Sequence, residues 1–206
     1  MQKLGFIDCL LDELQHGLKT CHVRPGKTER IYPAQNLPQD EFSDAERNRV
    51  AGLMRVNNAG LYRGQALTAK KEALGEAMLA AAEEENEHLN WCQRRLDELD
   101  AGRSLLDGVW YWGSFSLGAL AGVAGDRWSL GFVRETEQQV CRHLDGHLAN
   151  LPLQDQRSRA IIETMRTDEA RHAASAKEAG AAELPAPVKS AMRLVSKVMT
   201  LSAYRI

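Results

Sequence analysis

No stretch of the 206 residues alternates polar and apolar side chains at period two, so nothing in the chain reads as a half-buried strand. No glycine-rich G-x-G-x-x-G fingerprint occurs, which removes the usual signal of a dinucleotide fold. The four cysteines, Cys9, Cys21, Cys92 and Cys141, are scattered and never spaced as C-x-x-C. That spacing suits neither a structural zinc site nor a disulfide framework, and reduced thiols are expected, with Cys92 and Cys141 packed in the core. Charge of one sign is missing as well: 26 Lys and Arg stand against 28 Asp and Glu, a formal net charge of −2. Without a basic patch interleaved with aromatics, nucleic acid is not an expected partner. The first residues lack a basic region followed by an apolar run, and Asp8, Asp12 and Glu13 interrupt any signal peptide, so secretion is not expected.

What the chain does have is helical periodicity. Lys3 to Lys19 reads as an amphipathic helix with Ile7, Leu10, Leu11, Leu14 and Leu18 on one side. Pro25, Gly26, Pro33 and Pro38 mark Cys21 to Gln39 as a loop or linker. Ser43-Asp44 caps a helix expected from about Ala45 to Ala69, followed by a second from Lys71 to Leu99. Gly108 to Gly125 carries no charge over 18 residues. That is the lower limit of a membrane span, but its five glycines and flanking Asp107 and Asp126 favour a buried or membrane-dipping helix, with Gly118, Ala121 and Gly122 admitting a close neighbour. Helices from Trp128 to Leu148 and from Asp155 to Glu178 follow. A last one after Pro185 and Pro187 sets Val188, Met192, Val195 and Met199 against Lys189, Arg193 and Lys197. Such a basic amphipathic helix suits an anionic membrane surface, and equally a cap on the bundle with its lysines in water. The expected fold is all-α, a single domain over 1–206 divided into an N-terminal helix and linker (1–42), a helical bundle (43–180) and a C-terminal amphipathic helix (185–206).

Two short patterns carry chemistry. Glu85 and His88 are three apart on a stripe with Met78, Ala81, Ala82, Cys92, Leu96 and Leu99. Glu169 and His172 repeat the spacing on a stripe with Ile162, Met165, Ala173 and Ala176. On a helix, residues three apart share a face, and a carboxylate with an imidazole on a core-facing stripe is costly unless something pairs with both. One Glu-x-x-His is weak, since such residues usually lie on a solvated face. Two copies on separate helices form the inward ligand pattern of a carboxylate-bridged di-iron or di-manganese bundle. Glu137 falls on a third stripe with Val140, Cys141, Leu144 and Leu148. Hard carboxylate and imidazole donors suit Fe(II) and Mn(II), and the lack of inward thiolate pairs argues against structural zinc.

With Arg55-Val56-Asn57, Leu61 to Leu67 (LYRGQAL), Glu85 to Cys92, Gly125 to Phe132 (GDRWSLGF), Glu135-Thr136-Glu137, Asp168 to His172 (DEARH) and Val198-Met199-Thr200 taken together, the chain resembles the demethoxyubiquinone hydroxylases, bacterial members above all. These are ferritin-like di-iron enzymes of ubiquinone biosynthesis, and the likeness runs through nearly the whole chain. It implies a ferritin-like four-helix bundle with additional N-terminal, glycine-rich and C-terminal helices. It implies hydroxylation of the ring of a demethoxyubiquinol with O2 at two Fe ions, with electrons from NADH. Glu85, His88, Glu137, Glu169 and His172 match metal ligands, and His143 matches a histidine near the site that would relay electrons or protons. Glu84, Glu87, Glu135 and Asp168 are expected either to support ligands or, more often, to be surface charges.

The family's first core helix reads Arg-Val-Asn-His-Ala-Gly-Glu, with that Glu as a ligand. Here the chain reads Arg55-Val56-Asn57-Asn58-Ala59-Gly60-Leu61, and the Glu with about five following residues is missing. No Asp or Glu occurs between Glu46 and Glu72 to replace it. The expected consequence is an impaired, lopsided centre. Two other readings stay open: a ferritin-like iron oxidase, and a non-catalytic quinone-binding scaffold. Peripheral attachment to the cytoplasmic side of the cell membrane is expected, as is a homodimer through the glycine-rich segment or a ubiquinone-biosynthesis complex.

Overall fold

The computed structural model describes residues 6–22, 30–39, 41–55 and 60–205, with the side chains at 6, 7, 9, 10, 21 and 22 excepted. Among them there are eight helices and no strand: α1 (Phe6–His22), α2 (Asp44–Leu53), α3 (Gly60–Thr68), α4 (Glu72–Glu98), α5 (Asp107–Val123), α6 (Asp126–Asn150), α7 (Gln156–Glu178) and α8 (Ala186–Arg205). The architecture is an all-α, ferritin-like bundle in which the two shorter helices α2 and α3 pack with the long helices α4, α6 and α7. The expected helix from Ala45 to Ala69 is therefore two. Ser43 starts α2 with a full capping box, its hydroxyl accepting from the Glu46 N–H while the Glu46 carboxylate accepts from the Ser43 N–H. The helix stops at Met54, and α3 begins at Gly60. Val56, Asn57, Asn58 and Ala59 lie outside the described residues, as do Pro25 and Gly26.

Two apolar clusters fill the bundle. One joins Val50, Ala51 and Met54 of α2 to Cys92 and Leu96 of α4, Leu144 of α6 and Ile162 of α7. The other joins Tyr62 of α3 to Met78 and Ala82 of α4, Leu130 and Val133 of α6 and Ala176 of α7. Along α4 the residues between the clusters are Glu85 and His88, along α6 Glu137, and along α7 Glu169 and His172. A polar layer is thus enclosed between two dry ones. Met54 of α2 belongs to one of the dry layers and Tyr62 of α3 to the other.

α5 is the unusual packing partner. A Cβ added at Gly60 or Gly64 of α3 would run into the backbone of Tyr111 or Phe115. One added at Gly118 or Gly122 of α5 would run into Leu61 or Thr68. Small residues on both helices let the backbones touch, which brings α3 close enough to bury Tyr62 and Gln65 completely. Gly118 and Gly122 are thus filled by α3 of the same chain. α5 is only half buried: Tyr111 and Phe115 face inward while Val109, Leu117, Leu120 and Val123 are exposed. Gly125, at φ 115°, makes the sharp turn into α6.

Two ion-pair networks hold the layers in register. Arg63 of α3 and Glu13 of α1, both buried, form a bidentate pair at 2.6 and 2.9 Å. Arg95 of α4, with no exposed surface, reaches Asp155 at 3.0 Å and Ser158 at 2.8 Å at the start of α7. Cys92 is buried as expected, but Cys141 is only half buried at the α6–α7 edge; Cys9 and Cys21 are not described. Leu11, Leu14 and Leu18 of α1 and Val188 and Val195 of α8 are exposed, so both amphipathic faces point largely away from the core.

Candidate metal centre

The two Glu-x-x-His helices meet in the polar layer. Ligand atoms of Glu85, Glu169 and His172 all lie within 4.8 Å of one another, and all three residues are buried. His88 Nδ1 is 3.3 Å from Glu169 Oε1 and 3.8 Å from Glu85 Oε1. Glu137, with no exposed surface, faces Glu169, and its Oε1 accepts the Tyr62 hydroxyl at 2.8 Å. Three of the five expected positions, Glu85, Glu169 and His172, thus meet at one buried point, and His88 and Glu137 border it through Glu169.

The outer nitrogens of the two imidazoles are each held by an acid from the opposite helix. His88 Nε2 lies 3.0 Å from Asp168 Oδ2 on α7, and His172 Nε2 lies 2.9 Å from Glu84 Oε2 on α4. Each acid directly precedes a Glu of the pair, so Glu84-Glu85-x-x-His88 and Asp168-Glu169-x-x-His172 are two copies of one device that cross-brace. A carboxylate on the outer nitrogen fixes tautomer and ring direction, leaving Nδ1 as the inward donor. Arg30 and Arg171 in turn hold Asp168, at 2.8 and 3.2 Å. Reading Glu84 and Asp168 as surface charges was thus the less accurate option; the signal that finds them is an acid immediately before each Glu. Glu135 is also buried, but it accepts from Gln139 and takes no part in the centre. Glu87 contacts Arg30.

Charge at the centre is unbalanced in a way that a cation corrects. Burial, then the charge of Glu169, pushes the Glu85 and Glu137 carboxyls up. Glu169 is pushed up by burial too, but the nearby His172 and His88 imidazoles outweigh that and bring it below the ordinary range. Burial lowers His88 as well, yet the nearby carboxylates of Asp168, Glu169 and Glu85 leave it well above its usual value. Protons are standing in for positive charge that three carboxylates at one point require. Glu85 Oε1, Glu137 Oε2 and His88 Nδ1 are all shielded from solvent and have no hydrogen-bond partner. Orphaned inward donors of carboxylate and imidazole type fit Fe(II) or Mn(II). Tyr62 was missed at the sequence level. It sits just after the deleted turn, and only the approach of α3 to α5 aims its hydroxyl at Glu137 and its ring edge-on at His172, with centroids 5.7 Å apart.

A cavity that is partly open to solvent reaches the centre at Glu85 and Glu169. Its walls are mostly apolar, with Leu53, Ile162, Met165 and Met199 among them, and α8 forms one side. His143 lines it, and beside it stands His147. Burial lowers both imidazoles, His147 to about 3.

A ferritin-like helical bundle with two inward Glu-x-x-His pairs and a third-helix carboxylate defines the class of buried carboxylate metal centres. Within that class the profile of the family "Ubiquinone biosynthesis protein COQ7" matches residues 48–203, and the chain belongs to that family. A 3-demethoxyubiquinol 3-hydroxylase of Chromobacterium violaceum is 52% identical over 206 residues, covering 97% of this chain and 100% of the relative. Proteins with the same name from Nitrosococcus oceani and Dechloromonas aromatica are each 50% identical, covering 100% and 96% of this chain and 99% and 98% of their own.

Proposed function

We propose that the chain is a 3-demethoxyubiquinol 3-hydroxylase that uses O2 at a di-iron centre held by Glu85, His88, Glu137, Glu169 and His172, with NADH as the source of electrons. The observation that carries this reading is the set of orphaned buried donors at the crossing of the two braced Glu-x-x-His helices. Paired iron ions bound there supply the reducing equivalents that activate dioxygen. The chain's own residues do the rest. Asp168 and Glu84 orient the imidazoles, and Tyr62 holds one oxygen of Glu137 so that the other points inward. The apolar cavity takes an apolar substrate up to Glu85 and Glu169 while its walls keep bulk water from the reacting ring.

No Asp or Glu occurs between Glu46 and Glu72, the stretch that holds the end of α2 and all of α3, so the chain offers no first-helix carboxylate there. Iron beside Glu85 and His88 is therefore expected to bind more weakly than iron beside Glu137, Glu169 and His172. Metal analysis after anaerobic loading with Fe(II), together with mass detection of the hydroxylated ring from a short-tailed demethoxyubiquinol, tests the proposal. One to two irons per chain with hydroxylated product supports it. No iron and no product, even after the family's Glu segment is inserted between Gly60 and Leu61, refutes it in favour of a quinone-binding scaffold, which the missing ligand also suits.

The proposal includes peripheral attachment to the cytoplasmic side of the cell membrane. No helix among the described residues is long and apolar enough to cross a membrane. Leu117, Leu120 and Val123 of α5 and Leu194, Val198 and Leu201 of α8 are nonetheless exposed, with Arg193 and Lys197 nearby in the chain. Lys189 is engaged by Glu183. Flotation with anionic liposomes checks this part: Leu120→Asp or removal of α8 is expected to reduce flotation, and unchanged flotation in both overturns it. Phe115 is unsuitable for that test because it packs inward.

A further inference from the structure

His143 and His147 stand one turn apart on α6, with ring centroids 4.0 Å apart and planes at 64°. Both line the cavity that ends at Glu85 and Glu169. His147 is only 6% exposed. Its Nδ1, and Nε2 of His143, are shielded from solvent and have no hydrogen-bond partner. A buried polar atom without a partner costs about 1–3 kcal/mol, and packing alone would be served better by an apolar side chain. Neither imidazole is one of the residues gathered at the metal centre, and their contact is with each other. Since burial keeps both rings neutral, each offers one acceptor nitrogen and one N–H.

The remaining wall is largely hydrocarbon and thioether, so the imidazoles are well placed to orient an aromatic head group in an otherwise greasy cavity. The relatives are named for a quinol, a ring whose hydroxyls donate and whose oxygens accept. Resting on the hydroxylase reading above, we infer that His147, steadied by the His143 ring, hydrogen-bonds a ring hydroxyl of the quinol and thereby selects which ring edge faces Glu85 and Glu169. Such a site rejects a ring that lacks the hydroxyl, because its own polar atom is then left buried and unpaired. An apolar pocket of the same shape would not discriminate.

The test uses the iron-loaded full chain and two short-tailed ligands: a demethoxyubiquinol and the same ring with its hydroxyls blocked as methyl ethers. Binding is measured anaerobically by calorimetry, so no turnover is required. The wild type is expected to prefer the quinol, and His147→Leu is expected to weaken quinol binding by about 10-fold or more while changing ether binding little. His147→Gln, which keeps an acceptor and a donor, should recover most of the preference, a recovery that a purely structural role would not produce. Iron content and melting temperature should be unchanged in both variants. If the wild type prefers the quinol and His147→Leu keeps that preference, the inference is overturned while the hydroxylase reading stands. If His147→Leu fails to fold, His147→Gln with the wild-type preference supports the inference, and a folded His147→Gln without it overturns it. A wild type that binds neither ring overturns both.

Discussion

Replacing Tyr62 by Phe removes one oxygen atom from the centre and leaves the ring that packs edge-on against His172. That oxygen donates to Glu137 Oε1 at 2.8 Å, between residues that are 1% and 0% exposed, so water cannot take its place. Burial raises the Tyr62 phenol well above its ordinary value, so the hydroxyl remains a neutral donor across the working range. Loss of one partner from a buried acceptor costs about 1–3 kcal/mol. For a chain of this length each kcal/mol moves the melting point by about 2–4 °C, so the metal-free Tyr62→Phe protein should melt roughly 2–12 °C below the wild type. Fe(II) affinity should fall about 10–100-fold, as is typical when a ligand loses the group that orients it. Circular dichroism melts of metal-free protein and anaerobic Fe(II) titration measure the two effects separately. Equal melting and equal affinity would show that the hydroxyl neither satisfies nor orients Glu137.

Glu84→Gln and Asp168→Asn each weaken one brace, on His172 and His88 respectively. Each is expected to lower iron affinity about 10–100-fold, measured by anaerobic titration, with the pair less than additive if both imidazoles share one iron cluster. Gly118→Ala pushes a methyl group into the Leu61 carbonyl, and overpacking of this kind costs about 1–3 kcal/mol, read as a lower urea midpoint; an unchanged midpoint would mean that α3 and α5 can separate freely. Burial raises the Glu98 carboxyl, but hydrogen bonds from Arg157 and Arg95 more than offset this and hold it below 4.5. A carboxyl lowered in the folded state contributes stability that is present above its unfolded value and lost as pH falls through its folded one. Urea midpoints should therefore fall on acidification below about pH 4.5, and Glu98→Gln should flatten that acid limb without steepening the neutral range.

Periodicity alone located the helices of the bundle and three of the carboxylates. Both Glu-x-x-His pairs and Glu137 sit on apolar stripes, and an apolar stripe has to face a core. It also marked the capping box at Ser43, because a cap is a contact between residues three apart. What it misjudged is the continuity from Ala45 to Ala69: α2 stops at Leu53 and α3 starts at Gly60, although no proline in between marks a stop. Contacts between distant segments were beyond it. Glu84 and Asp168 read as solvated acids until α4 and α7 cross and each meets the other's histidine, 88 and 80 residues away in the chain. Tyr62 reaches Glu137 across 75 residues only because four glycines let α3 and α5 touch. His147 differs from any other helical histidine only in the cavity that α2, α7 and α8 close around it. Local spacing sets which side chains face inward, since that depends on 3.6 residues per turn. Which inward side chains meet depends on how closely the helices approach, and that was decided by packing in three dimensions.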